Sequence, residues 1–106
     1  MAIVASQAPK NYIHIVYNNG AHDSVGGQPT VGLEMNLPQI GEAMGYKTVM
    51  NATNASELKA ALGRLDDCAK PALLQVSVRK GNRKDLGRPT TTPQQNKEAL
   101  MNTLSK

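Results

Sequence analysis

This 106-residue chain contains no Trp and no Phe, and its only aromatic side chains are three Tyr, so any core it builds is aliphatic. It has a single Cys, Cys68, which excludes an internal disulfide framework and fits a reducing, cytoplasmic setting. The neighbours Asp66 and Asp67 disfavour a thiolate, which makes Cys68 a structural residue. With one Cys and two His there is no metal-ligand spacing of these residues. No apolar run approaches the length of a bilayer span. The opening residues MAIVASQAPK lack the basic start and long apolar middle of a signal peptide, so no membrane partner is expected. There is no GxGxxG and no P-loop, and Ser24 lacks the context of a nucleophile elbow.

What is present fits one small globular domain, 40% hydrophobic and 19% charged. The net charge is +4, and Arg79, Lys80, Arg83, Lys84 and Arg88 are concentrated in one polar segment. No aromatic residue is interleaved with them, so the segment reads as a solvated loop rather than a nucleic-acid surface. Some of these charges are available to an anionic substrate or a partner subunit.

The hydrophobic pattern alternates between two periods. Met1 to Ala8 is helix-compatible and is ended by Pro9. Tyr12 to Tyr17 is an apolar, β-branched and aromatic strand, expected to be covered on both faces. Its His14 is expected to be a packed or hydrogen-bonded residue. Asn36 with Gln39 resembles a capping box, with Pro38 in the tolerated first turn and Gly45 ending the helix. Tyr46 to Met50 is a second strand. Asn54 with Glu57 is a second capping box, followed by the stripe Leu58, Ala61, Leu62 and Leu65. Leu73 to Val78 is a third strand, and Thr92-Pro93-x-Gln95 opens a last helix bearing Ala99, Leu100 and Leu104. Alternating helices and strands imply a parallel α/β sheet between helical layers, an α/β/α architecture. Three strands are few for such a sheet, so the pattern reads as the back half of a domain.

The densest cluster of unusual residues is Asn18 to Thr30, NNGAHDSVGGQPT, with three Gly, one Pro, two Asn, an Asp and a His. It follows the first strand, and open α/β sheets bind ligands beyond the carboxyl ends of their strands. The carboxamides of Asn18 and Asn19 suit a hard cation or a phosphate, and the glycines let the backbone approach a ligand closely. His22 and Asp23 suggest an acid–base pair, although adjacent residues often point apart.

An aliphatic strand ending in Asn-Asn-Gly resembles the second half of the cofactor motif of thiamine-diphosphate enzymes. The longer strings NNGAHDSVGGQPTVG and DLGRPTTTPQQNKEA resemble the phosphonopyruvate decarboxylase branch of that family, with sulfopyruvate decarboxylase and acetolactate synthase more distant. The resemblance implies that residues 1–106 are a partial, C-terminal thiamine-diphosphate-binding domain. It further implies Mg-dependent decarboxylation of the 2-oxo acid 3-phosphonopyruvate to phosphonoacetaldehyde. The cofactors so implied are thiamine diphosphate and Mg²⁺, with Asn18, Asn19, Gly20, Ala21 and His22 around the cofactor. The metal ligands are the side-chain oxygen of Asn19 and the main-chain carbonyl of Ala21. The family's Gly-Asp-Gly, whose Asp is a further ligand, precedes the Asn pair by about one helix and one strand and is not in this sequence. The activating glutamate lies in another domain of the family enzymes, so no catalytic residue is assigned here, and the chain alone is expected to be inactive. The resemblance also implies the topology: Leu73 to Val78 lies between the other two strands.

A different class of function stands beside this one: a non-catalytic α/β module that assembles with itself or another chain through an exposed sheet edge. A related sulfopyruvate decarboxylase subunit is the other alternative. Either way a homo-oligomer, or association with the remainder of an enzyme, is expected, with contacts through Met1 to Ala8 or the Tyr12 to Tyr17 edge.

Overall fold

A computed structural model describes residues 1–105. In chain order the main elements are α1 (Ala2–Gln7), β1 (Ile13–Asn18), β2 (Ala21–His22) and β3 (Gln28–Pro29). Then follow α2 (Leu37–Met44), β4 (Thr48–Ala52), α3 (Ala55–Arg64), β5 (Ala72–Ser77) and α4 (Pro93–Leu104). β1, β5 and β4 form one parallel sheet in that spatial order, so the last strand is central, as expected. The remaining strands, β2 and β3, form a separate two-residue antiparallel ladder within the long loop.

The order explains the layering. The connection from β1 to β4 passes the place β5 will fill, and the connection from β4 to β5 returns. Two crossovers of one hand that travel in opposite directions leave their helices on opposite faces. Successive strand residues point to opposite faces, and the fully buried Leu73 and Leu74 divide accordingly. Leu74 joins Ala72, Val76, Met50 and Ala52 against Ala61 of α3 and Leu65, the residue that caps its C-terminus. Leu73 packs with Ala5 of α1 and Tyr46 on the other side, where α2 approaches. Gly41 permits that approach, because a Cβ there would lie 2.5 Å from Leu73 Cδ2.

The helix starts follow their caps. Asn36 accepts from the Gln39 amide and Asn54 from the Glu57 amide, each through Oδ1. The return half of the second box differs from expectation: Glu57 reaches past Asn54 to the backbone and hydroxyl of Thr53, at 2.7 and 2.8 Å. Only α4 has both halves, between Thr92 and Gln95. Gly45 ends α2 at φ 102°.

Four local expectations are corrected. The second strand starts at Thr48 rather than Tyr46, because Tyr46 is buried beside the sheet and its hydroxyl meets His14 Nδ1 at 3.0 Å. Burial, with Tyr12 adding a smaller effect, raises the Tyr46 hydroxyl pKa above its ordinary value. β1 is covered on one face only: Ile13, Ile15 and Tyr17 are exposed, while His14, Val16 and Asn18 are half-buried. In the α3 stripe, Leu62 is exposed although Ala61 and Leu65 are core. No residue of α4 is buried, so its Leu100 and Leu104 contribute nothing to the core.

Candidate functional site

The carboxyl ends of β1 and β5 lie side by side, paired from Ile13 and Ala72 to Asn18 and Ser77. The loops that leave these ends meet. Val78 N–H donates to the Asn18 carbonyl oxygen at 3.0 Å, which carries the pairing one residue beyond β5. Lys80 Nζ donates to the Gly27 carbonyl oxygen and Gly81 N–H to Asp23 Oδ2, both at 2.7 Å. The stretch after β1 and the basic stretch after β5 are thus one structural unit.

Within it, the two asparagines do different things. Asn18 uses both ends of its carboxamide on the loop: Nδ2 donates to Gly32 O at 2.6 Å, and Oδ1 accepts from Gly20 N at 3.1 Å. Asn19 Oδ1 accepts only from Ala21 N, at 3.1 Å. That bond orients the Asn19 oxygen and leaves it a second lone pair. Gly20 takes φ 63°, a conformation that favours glycine, and a Cβ on it would have to displace the exposed Leu33 side chain, 2.5 Å away. Gly20 O accepts from Thr30 N at 2.8 Å and His22 O from Gly27 N at 2.9 Å, which closes the loop on the Ala21–Pro29 and His22–Gln28 pairs.

A cavity of about 350 Å³ opens where the loops meet, lined by Asn19, Asp23, Ser24, Val78, Arg79, Gly81 and Asn82. Of the residues singled out in the sequence, Asn19 is on its wall, and Gly20 and Ala21 are its chain neighbours. Asn18 is not on this wall and ties the loop through Gly32 and Gly20. His22 is exposed and is not on this wall, whereas Asp23 is. The two residues therefore do not form an acid–base pair within the cavity. Arg79, Gly81 and Asn82 are the additions. Their signal was available in principle: in a parallel sheet, the loop after β5 emerges at the same end as the loop after β1.

The donor chemistry fits Mg²⁺ as a shared rather than an enclosed ion. Mg²⁺ takes oxygen ligands and keeps phosphate and water in its shell. Asn19 Oδ1 and the Ala21 carbonyl are neutral oxygens two positions apart in sequence, and they would supply part of such a shell. Among the described residues, no group of three or more His, Cys, Asp or Glu converges to hold a metal. No helix there is long and apolar enough to cross a membrane.

No family model matches the chain. The phosphonopyruvate decarboxylase of Streptomyces viridochromogenes is 39% identical to it over 93 residues, and that of Streptomyces hygroscopicus 37% over 93 residues. Each match covers 88% of this chain but 23% of the relative, so the chain spans about a quarter of the length of these curated relatives. Over most of its residues, then, this parallel α/β chain is a relative of the phosphonopyruvate decarboxylases, as its loop and C-terminal strings imply.

Proposed function

We propose that the chain forms part of the cofactor-binding domain of a thiamine-diphosphate- and Mg-dependent decarboxylase acting on 3-phosphonopyruvate. The observation that carries this reading is the position of Asn19. Asn19, whose Oδ1 is oriented by Ala21 N–H, lines a cavity at the carboxyl ends of two parallel strands. The names of the curated relatives supply the substrate.

In this reading Asn19 Oδ1 and the Ala21 carbonyl oxygen hold Mg²⁺. Neutral ligands add no negative charge beside a diphosphate. Gly20 lets the backbone come close to the phosphates, and His22 is exposed on the same loop. Asn18 fixes the loop through Gly20 and Gly32. The reaction breaks the bond between the carboxylate and keto carbons, releases CO₂ and adds a proton to the former keto carbon, leaving phosphonoacetaldehyde. Thiamine diphosphate, when bound, supplies the sink for the electron pair left behind by CO₂. The chain's own residues bind and orient; none is assigned a proton-transfer step.

The test is calorimetric titration of the chain with thiamine diphosphate and Mg²⁺, alone and with a fragment of a relative that carries Gly-Asp-Gly. Weak binding by the chain, strengthened by the fragment and lost in Asn19→Ala, is the expected result, with no decarboxylation by the chain alone. Tight Mg²⁺-dependent binding that survives Asn19→Ala would falsify the site.

The uncovered face of β1 favours a second reading, a self-assembling module without catalysis, whose test is the oligomeric state treated below.

A further inference from the structure

The cavity that holds Asn19 also holds Arg79, and the charges around it are unequally engaged. Lys80, next in sequence, is turned onto the Gly27 carbonyl oxygen. Arg83 lies 3.7 Å from Asp85 and is not on the cavity wall. Asp23 uses one carboxylate oxygen to accept from Gly81 N–H. Arg79 has no hydrogen bond or ion pair among the described residues, and it is the one cationic side chain on the wall. The Lys80–Gly27 and Asp23–Gly81 bonds anchor the two residues that follow it, so the backbone carrying Arg79 is held against the loop.

We propose that Arg79 recognises a dianionic phosphoryl-type group, a phosphonate or phosphate, in this cavity. The proposal rests on the reading of the cavity given above and adds to it the residue that selects for the anion. A guanidinium presents two parallel N–H groups that match two oxygens of such a group. Ser24 and Asn82 add neutral hydrogen-bonding groups on the same wall. Asp23 acts in the opposite sense, since its charge repels a dianion. Replacing it by Asn keeps an acceptor for Gly81 N–H and removes the charge, so Asp23→Asn strengthens anion binding.

Two sources share this chemistry: the phosphonate of the substrate and the diphosphate of the cofactor. The experiment titrates the ¹⁵N-labelled chain with methylphosphonate, and separately with inorganic diphosphate plus Mg²⁺, following the amide signals of Asn19, Gly81 and Asn82. Saturable shifts are expected, weakened about tenfold in Arg79→Gln, as loss of a charge-assisted pair implies. They should be strengthened in Asp23→Asn and unchanged in Lys84→Gln. A response to methylphosphonate identifies the substrate-side source, and a response confined to diphosphate the cofactor side; both support Arg79 as the reader. The proposal is overturned if neither probe gives shifts, if Arg79→Gln leaves them intact, or if Lys84→Gln weakens them equally. An intact Arg79 effect together with no Asn19 effect on thiamine diphosphate binding overturns the cofactor reading alone. The reverse pattern overturns the Arg79 assignment alone.

Discussion

The side-chain amide of Asn18 donates to the carbonyl oxygen of Gly32 across a loop of fourteen positions, at 2.6 Å. The same carboxamide accepts from Gly20 N, so one side chain holds both ends of the loop. Asn18→Asp removes the donor and sets a negative charge against the Gly32 carbonyl. The expected cost is about 1–3 kcal/mol, the usual range for leaving a partly buried partner unmatched. Asn19→Ala should cost less, because it gives up a single local turn bond. Urea unfolding of both variants checks the order; equal midpoints would show that Asn18 does not tie the loop.

Gln75 makes the opposite case. It sits in the central strand, 9% exposed, and donates through Nε2 to Asn51 Oδ1 on the neighbouring strand at 3.1 Å. Its Oε1 is buried with no hydrogen-bond partner among the described residues. An unmatched buried acceptor costs about 1–3 kcal/mol, and Met has a similar length without the polar atoms. Asn51 is exposed, so its oxygen keeps access to solvent when Gln75 is replaced. Gln75→Met is therefore expected to hold or raise the thermal midpoint. A marked fall would mean that Oε1 is engaged in the folded chain.

These two residues also mark how far the sequence can be read. Alternating periods gave the α/β class, and caps such as Asn36 and Asn54 located helix starts, because both signals are local. The strand order came from the family resemblance, supported by the apolar character of Leu73 to Val78 on both faces. What was not legible depends on packing between distant segments. Tyr46 has a strand former's side chain but spends it on His14 and the core beside the sheet. The apolar residues of β1 do not reveal that α3 stops short of it. In the candidate site, Asn19 was readable as a motif residue. Arg79 looked like one charge among several until the Lys80–Gly27 and Asp23–Gly81 bonds placed its segment on the loop.

Glu57 gives a pH dependence. Its carboxylate accepts from the backbone N–H and then the hydroxyl of Thr53, and these bonds lower its pKa below the ordinary 4.5. The bonds exist only in the folded chain, so the folded pKa lies below the unfolded one. The stability they contribute is present above the ordinary glutamate value and is lost as the pH falls through the folded value. Unfolding midpoints measured from neutral pH down to about pH 3 should decline more steeply in the parent than in Glu57→Gln, whose amide oxygen still accepts from Thr53. Parallel acid limbs would remove Glu57 from the account.

The last prediction concerns the edge of the sheet. Among the described residues β1 is paired on one side only, with β5. Its register places Ile13, Ile15 and Tyr17 opposite Ala72, Leu74 and Val76, on the face that α3 covers farther along the sheet. There they stay exposed, Tyr17 at 67%. A parallel sheet normally has both faces covered, and an apolar edge without lysine or proline invites another strand or chain. Isolated exposed residues are ordinary on a protein surface; three at alternate positions of one edge strand form a continuous apolar strip. A second copy of the chain is therefore expected to dock on this strip. In sedimentation velocity the parent should rise above its 11.3 kDa mass as concentration increases. Ile15→Lys with Tyr17→Lys should stay at that mass, because both charges fall on the exposed face and leave the β5 pairing untouched. If the parent remains at 11.3 kDa at the highest concentration, self-assembly through β1 is ruled out. If the double variant associates as strongly as the parent, the contact lies elsewhere, and the exposed Leu100, Met101 and Leu104 of α4 become the surface to alter.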